Sequence, residues 1–89
     1  MMRKIWDDEA WADYLAWQGE DRKKLKKINS LLKDIESNGC LDGIGKPEPL
    51  KDNWQGWFSR RIDEKNRLIY RINGKFLEIA QCKNHYDDK

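Results

Sequence analysis

Asn73-Gly74 separates two stretches whose apolar residues alternate, Arg67 to Ile72 and Lys75 to Lys83. A pair of this type between alternating runs is the strongest short signal for a β-hairpin, because both residues tolerate the positive φ of a tight reversal. It commits this part of the chain to antiparallel strands. As a two-residue loop it pairs Ile72 with Lys75, Tyr70 with Leu77 and Leu68 with Ile79. Those residues share the face expected to meet a core, while Arg67, Ile69, Arg71, Phe76, Glu78 and Ala80 take the other. Trp57 to Ile62 supplies another strand, and Met2 to Trp6 is long enough for a first.

Between the first strand and residue 39 the apolar period is helical. Asp7 is placed to cap a helix, with Asp8 and Glu9 in a first turn where the helix dipole favours acids. Ala10, Trp11, Tyr14, Leu15 and Trp17 give it an apolar stripe, and Gly19 suits its end. A second helix from about Asp21 carries Leu25, Ile28, Leu31, Leu32 and Ile35 at spacings of three, four and seven. Asn38-Gly39 closes it. The expected fold is α+β: a two-helix hairpin on one face of a small, mainly antiparallel sheet whose other face is open and carries arginines. Trp6, Trp11 and Trp17 are expected to pack in or against the core.

The chain has 89 residues, enough for one domain over 1–89. Charged residues are 38% of it, yet five Trp, three Tyr and two Phe are the composition of a folded domain, not a disordered one. A net charge of +2 says little about nucleic acid by itself. The bases, however, concentrate in Arg22 to Lys27 and from Lys46 to Arg71, so a polyanion would meet a basic surface. Cys40 and Cys82 match no metal spacing and are expected to be reduced thiols. Without a secretory pattern or a long apolar run, the expected location is the cytoplasm, with no membrane association.

Residues 40–53 lose periodicity, flexible around Gly43 and Gly45 and stiff around Pro47 and Pro49. The two prolines fix the backbone beside Glu48, between Lys46 and Lys51. That segment is either a rigid turn with solvated charges or a positioned general base. A pairing of Arg61 with Arg67 would set like charges side by side, a cost that a bound phosphate would relieve. Ordinary surface arginines and a phosphate clamp both fit. His85 is either incidental or a proton donor near neutral pH, and Tyr86 could stack on a base. The six bases on the second helix are either a solvated face or a salt-sensitive contact to RNA phosphate. Trp54 and Trp57 flank the candidate site. Nothing in the spacing suggests a metal cage or another cofactor.

Together these segments resemble the YoeB toxins, members of the RelE/ParE superfamily. The likeness rests on Gly43 to Lys51, on Trp57 to Ile62 with Ser59-Arg60-Arg61, on Asn66 to Tyr70, and on His85-Tyr86. Ile5-Trp6, Trp11 to Trp17 and Lys27-Ile28-Asn29 agree. The resemblance implies a microbial-RNase-like fold and a metal-independent endoribonuclease that cleaves messenger RNA in the ribosomal A site and leaves a cyclic phosphate. By that resemblance Glu48 is the general base, His85 the general acid and Arg67 the transition-state clamp. Lys51, Arg61 and Tyr86 hold phosphates and base. It also implies a YefM-like antitoxin, repression of the operon by the complex, and dimerisation. The sequence departs from the family pattern in the Asp87-Asp88-Lys89 extension, expected to be a flexible tail, and in the link from Asn38 to Asp42. A relative of the same fold that has lost catalysis and binds gyrase or an antitoxin is the alternative.

Overall fold

A computed structural model describes residues 2–84. His85, Tyr86 and the Asp87-Asp88-Lys89 extension lie outside the described residues. In chain order the elements are β1 (Arg3–Trp6), α1 (Asp8–Glu20), α2 (Arg22–Asn38), β2 (Glu48–Pro49), β3 (Phe58–Arg61), β4 (Arg67–Asn73) and β5 (Phe76–Gln81). A single 3-10 turn, Asp52–Trp54, lies between β2 and β3. The strands form one sheet in the order β1-β5-β4-β3-β2, with β1 parallel to β5 and every other pair antiparallel. Both helices pack on one face, the α+β arrangement read from the sequence. Among the described residues, no helix is long and apolar enough to cross a membrane.

The helices begin and end for local reasons. Asp7 is the extended residue before α1, but its side chain makes no capping bond; its carbonyl accepts the Trp11 N–H at 2.9 Å. Gly19 does not end this helix, which runs on to Glu20. Asp21 ends it: extended at φ −160°, its carboxylate accepts the Lys23 N–H at 3.0 Å and caps α2. One residue thus closes the first helix and opens the second. At the far end Gly39, at φ 87°, closes α2 by donating its N–H to the Ile35 carbonyl.

Burial divides the two helices. Ile28, Leu31, Leu32 and Ile35 are buried as the α2 stripe requires. In α1 only Ala10 and Trp17 are buried, while Trp11 and Leu15 are each 46% exposed. Trp11 still packs, stacked on Tyr14 and edge-on to Trp6 with centroids 5.7 Å away in each case. It does so on the rim and not in the core.

The hairpin register differs from the expected one by two residues. Asn73 remains in β4 opposite Phe76, and the turn is Gly74-Lys75, with Gly74 at φ 63°. A lone glycine in the first turn position suffices for a tight reversal. Ile72 therefore faces Leu77, and Arg71 faces Glu78, to which it is ion-paired at 2.8 Å. Tyr70 faces Ile79, and a bulge then sets Ile69 opposite Gln81. A slip of two preserves the side-chain parity, so Leu68, Tyr70, Leu77 and Ile79 still line the core beneath the helices.

The opposite face is less open than expected. Leu50, Trp54 and Trp57 fold over Ile69 and Ala80 and form a second, smaller apolar cluster. The Arg71 guanidinium lies 4.4 Å from the Trp57 ring centroid and covers its flank. Toward Arg61 and Arg67 this face opens, with Arg61 exposed and Arg67 half-buried, while Ser59 stays buried.

Candidate functional site

Glu48 sits on β2, where periodicity alone suggested only loop. Its partner across the sheet is Ser59, and Pro49 is opposite Phe58. Because β2 is an edge strand, proline's missing N–H costs no ladder hydrogen bond. The strand is tied down on both sides. Before it, the Gly45 carbonyl accepts the Arg61 N–H at 2.7 Å; after it, buried Leu50 donates its N–H to the Trp57 carbonyl at 2.9 Å. Glu48 itself is exposed.

The register brings the predicted arginines together: Arg61 and Arg67 are cross-strand partners. Ser59 and Arg61 are two residues apart on β3, so Glu48, Ser59, Arg61 and Arg67 all project from the face opposite the helices. Glu48 is diagonal to Arg61, about 7–8 Å away by sheet geometry. It lies two strands across and two residues along from Arg67, roughly 12 Å at about 4.8 Å per strand and about 3.4 Å per residue. That gap suits a substrate group between them better than a direct ion pair. Lys51 is exposed just beyond β2, at the start of the 3-10 turn.

Arg67 is not a free surface arginine. Its Nη1 donates to the carbonyls of Asp63, Glu64 and Asn66 at 2.7, 3.0 and 3.2 Å. Those carbonyls offset part of the repulsion from Arg61, a task the sequence argument gave wholly to an anion. No bond among the described residues uses Arg67 Nη2 or Nε, so the outer edge of the fork can meet a phosphate in the two-pronged way guanidinium favours.

Arg60 has the opposite fate. Grouped with Arg61 in the sequence, it points to the helix side and is fully buried. Its Nε donates to Tyr70 Oη at 2.9 Å, and Nη1 to Asp34 Oδ2 and to the Ile44 carbonyl at 3.0 Å. Nη2 reaches the Gly39 and Asp42 carbonyls at 2.8 and 2.7 Å, while Tyr70 donates to the Cys40 carbonyl at 2.6 Å. The Arg60 guanidinium beside Asp34 holds that carboxyl below its usual range. Gly43 and Gly45 belong to this cluster. A Cβ on Gly43 would lie 1.7 Å from Asp34 Oδ2, and one on Gly45 2.8 Å from Leu31. These glycines serve close packing, not the flexibility their composition suggested.

The chain approaches His85 along a fixed path. Trp17 Nε1 donates to the Cys82 carbonyl at 2.8 Å, and Asp13 accepts the Cys82 N–H at 3.1 Å. Lys83 is ion-paired with Glu20 at 2.7 Å. Asn84 then accepts the Arg67 N–H at 3.0 Å and donates its own N–H to Asn66 Oδ1 at 2.6 Å. His85 and Tyr86 follow directly in sequence, outside the described residues. The sequence gives Asn66 only as part of the resemblance and Asp63 no role, although Asp-x-x-Asn at a strand end is a recognisable side-chain-stabilised turn. Burial would raise the Asp63 carboxyl, but bonds from Asn66, Lys24 and the Lys65 N–H outweigh it and hold the group well below the carboxylate range. Among the described residues no three His, Cys, Asp or Glu side chains gather in a group that could hold a metal ion.

Residues 6–86 match the sequence model of a family described as YoeB-like toxin of bacterial type II toxin–antitoxin system. The chain is 49% identical over 85 residues to toxin YoeB of Escherichia coli K12, covering 96% of this chain and all of the relative. It superimposes with a TM-score of 0.90 on the toxin in a heterotetrameric YoeB–YefM complex from Staphylococcus aureus, at 46% identity and over 97% of this chain and 99% of that one. A YoeB dimer from the same organism matches at 47% identity and TM-score 0.90, covering 96% and 98%.

Proposed function

This chain belongs to the family of YoeB-like toxins of bacterial type II toxin–antitoxin systems, and from that premise we propose that it is an endoribonuclease that cleaves messenger RNA in the ribosomal A site. The observation that carries the reading is the meeting of Glu48, Arg61 and Arg67 on the sheet face opposite the helices, with Asn84 bonded to Arg67.

Glu48 takes the proton of a ribose 2′-hydroxyl, whose oxygen attacks the adjacent phosphorus. The bond to the 5′-oxygen of the next nucleotide breaks, and His85 gives that oxygen a proton. The upstream product carries a 2′,3′-cyclic phosphate. Charge on the phosphoryl oxygens grows between ground and transition states, and the Arg67 fork meets it, preorganised by three carbonyls. Arg61 and Lys51 hold neighbouring phosphates, and Tyr86 stacks on the substrate base. Every step uses side-chain acids, bases and cations, so the reaction needs no metal. It takes place in the cytoplasm, where ribosomes translate. An antitoxin resembling the YefM of the solved complexes covers this face, the complex represses its own operon, and the toxin pairs with a second copy as in the related dimer.

The test is a defined mRNA on translating ribosomes, beside the same mRNA free in solution, with the ends mapped. A-site cuts are expected that require the ribosome, persist in chelator and fall by about 100-fold or more in Glu48→Gln, Arg67→Ala and His85→Ala, the scale of acid–base and charge-stabilising contributions. Absence of cuts by a folded wild-type chain would overturn the reading and leave the gyrase- or antitoxin-binding alternative.

A further inference from the structure

The β3–β4 turn is built around two side chains to which no role has been assigned. Asp63 Oδ1 accepts the backbone N–H groups of Lys65 and Asn66, both at 2.7 Å, and Oδ2 pairs with Lys24 Nζ at 3.0 Å. The Asn66 amide is engaged at both ends. Its Nδ2 donates to both Asp63 carboxylate oxygens at 3.1 and 3.0 Å, while Oδ1 accepts the Asn84 N–H at 2.6 Å. Flipping the amide would set its oxygen against a carboxylate and its NH2 against an N–H, so the network admits one orientation. An aspartate at position 66 would face the Asp63 carboxylate directly.

The neighbouring backbone completes a closed circuit. The Asn66 carbonyl accepts from Ile62 and Asp63, the Arg67 N–H goes to the Asn84 carbonyl, and Arg67 Nη1 is held by the turn's own carbonyls. Asn84 sits at φ 66°, in the left-handed region that asparagine tolerates better than most side-chain-bearing residues. Two bonds to consecutive residues of the turn, 66 and 67, fix it in place.

We propose that Asn66, seated on Asp63, is a positioning residue: it locks the Arg67 guanidinium and the strand end at Asn84 into one fixed relation, so that groups on two separate strands act on a single phosphodiester. This rests on the nuclease reading above. Asn66 touches no substrate; it acts through Arg67 and Asn84. Its loss lowers turnover while leaving ribosome binding in place, because the exposed cations that meet RNA phosphate are elsewhere.

The test compares Asn66→Asp with the exchange Asp63→Asn/Asn66→Asp, which restores a donor–acceptor pair across the turn, keeps an acceptor for the Asn84 N–H and gives up only the Lys24 ion pair. Cleavage of ribosome-bound mRNA and amide exchange at Arg67 and Asn84 are both measured. Expected are a fall of about tenfold or more in kcat for Asn66→Asp with the KM for programmed ribosomes within about twofold, faster exchange at Asn84, and recovery of both in the exchange variant. An Asn66→Asp protein that cleaves at the wild-type rate, or an exchange variant as slow as the single one, would overturn the proposal. If the wild-type chain itself is silent, the nuclease reading falls, and the exchange data still decide the lock: unaltered Asn84 protection in Asn66→Asp would remove it.

Discussion

Replacing Arg60 by alanine takes a cation out of a site from which water is excluded and leaves its five partners facing a cavity. Those partners are the Tyr70 hydroxyl, the Asp34 carboxylate and the carbonyls of Gly39, Asp42 and Ile44. Five net hydrogen bonds at about 1 kcal/mol each suggest about 5 kcal/mol. Measured losses on breaking one side of a buried ion pair, about 3–5 kcal/mol, give the same scale. A domain of this size has only about 5–15 kcal/mol in total, so Arg60→Ala is expected to approach the threshold of folding. At roughly 4 °C per kcal/mol, the lower end for small domains, the melting temperature falls by at least about 12 °C. In urea the midpoint drops by roughly 3 M at an m-value of about 1 kcal/mol/M. Tryptophan fluorescence follows both transitions. Arg61→Ala, one residue along but exposed, is the internal control and should stay within about 0.5 kcal/mol of wild type. An Arg60→Ala protein no less stable than Arg61→Ala would refute the claim that this guanidinium holds residues 39–45 in place.

Other consequences follow from the same contacts. Charge reversal at Lys23 and Lys27 should weaken ribosome affinity more at low salt than at high salt, and salt-independent affinity would return this helix to a solvated surface; Lys24 is set apart by its pairing with Asp63. The carboxyls of Asp34, Glu36 and Glu78 are held low by bonds from Arg60, the Met2 N–H and Arg71, and Asp63 is held low despite its burial. Depressed folded values add stability that is fully present above about pH 5 and lost as pH falls below about 4, whereas Asp13, raised by burial, works against this trend. Urea midpoints should therefore drop between pH 6 and pH 3, and equal midpoints would contradict the bonding pattern. Burial and the nearby Asp13 charge push the Cys82 thiol up to about 12, while Cys40 is half-buried and raised by burial. An alkylating thiol reagent at pH 8 should modify Cys40 first and Cys82 only on unfolding, which mass spectrometry resolves; equal rates would place Cys82 in reach of solvent.

How much of this was legible in advance differs by kind of feature. The α2 stripe, the Asp21 and Gly39 boundaries and the parity of the β4–β5 hairpin were all readable, because each depends on residues within one or two turns. The turn itself was located correctly, yet the register was not: Asn73-Gly74 and Gly74-Lys75 are both acceptable loops locally. Long-range pairing across the sheet, with the Arg71–Glu78 ion pair and the Ile72–Leu77 contact, chose between them. The pairing of Arg61 with Arg67 was available only as a condition on a register that no turn signal set.

What the sequence determined by itself is the alternation that separates a core face from a charged face, the boundaries of the second helix, and the stiff proline frame around Glu48. These are properties of backbone sterics and side-chain periodicity, which act over a few residues. Only the tertiary structure decided that Arg60 is sealed inside while its neighbour Arg61 faces outward with Arg67. It also decided that Glu48 belongs to an edge strand, that Leu50, Trp54 and Trp57 close over Ile69, and that Asn66 grips Asn84 eighteen residues away. Adjacent strand residues always point to opposite faces; which face is the inside depends on where the helices pack, and no local pattern contains that choice.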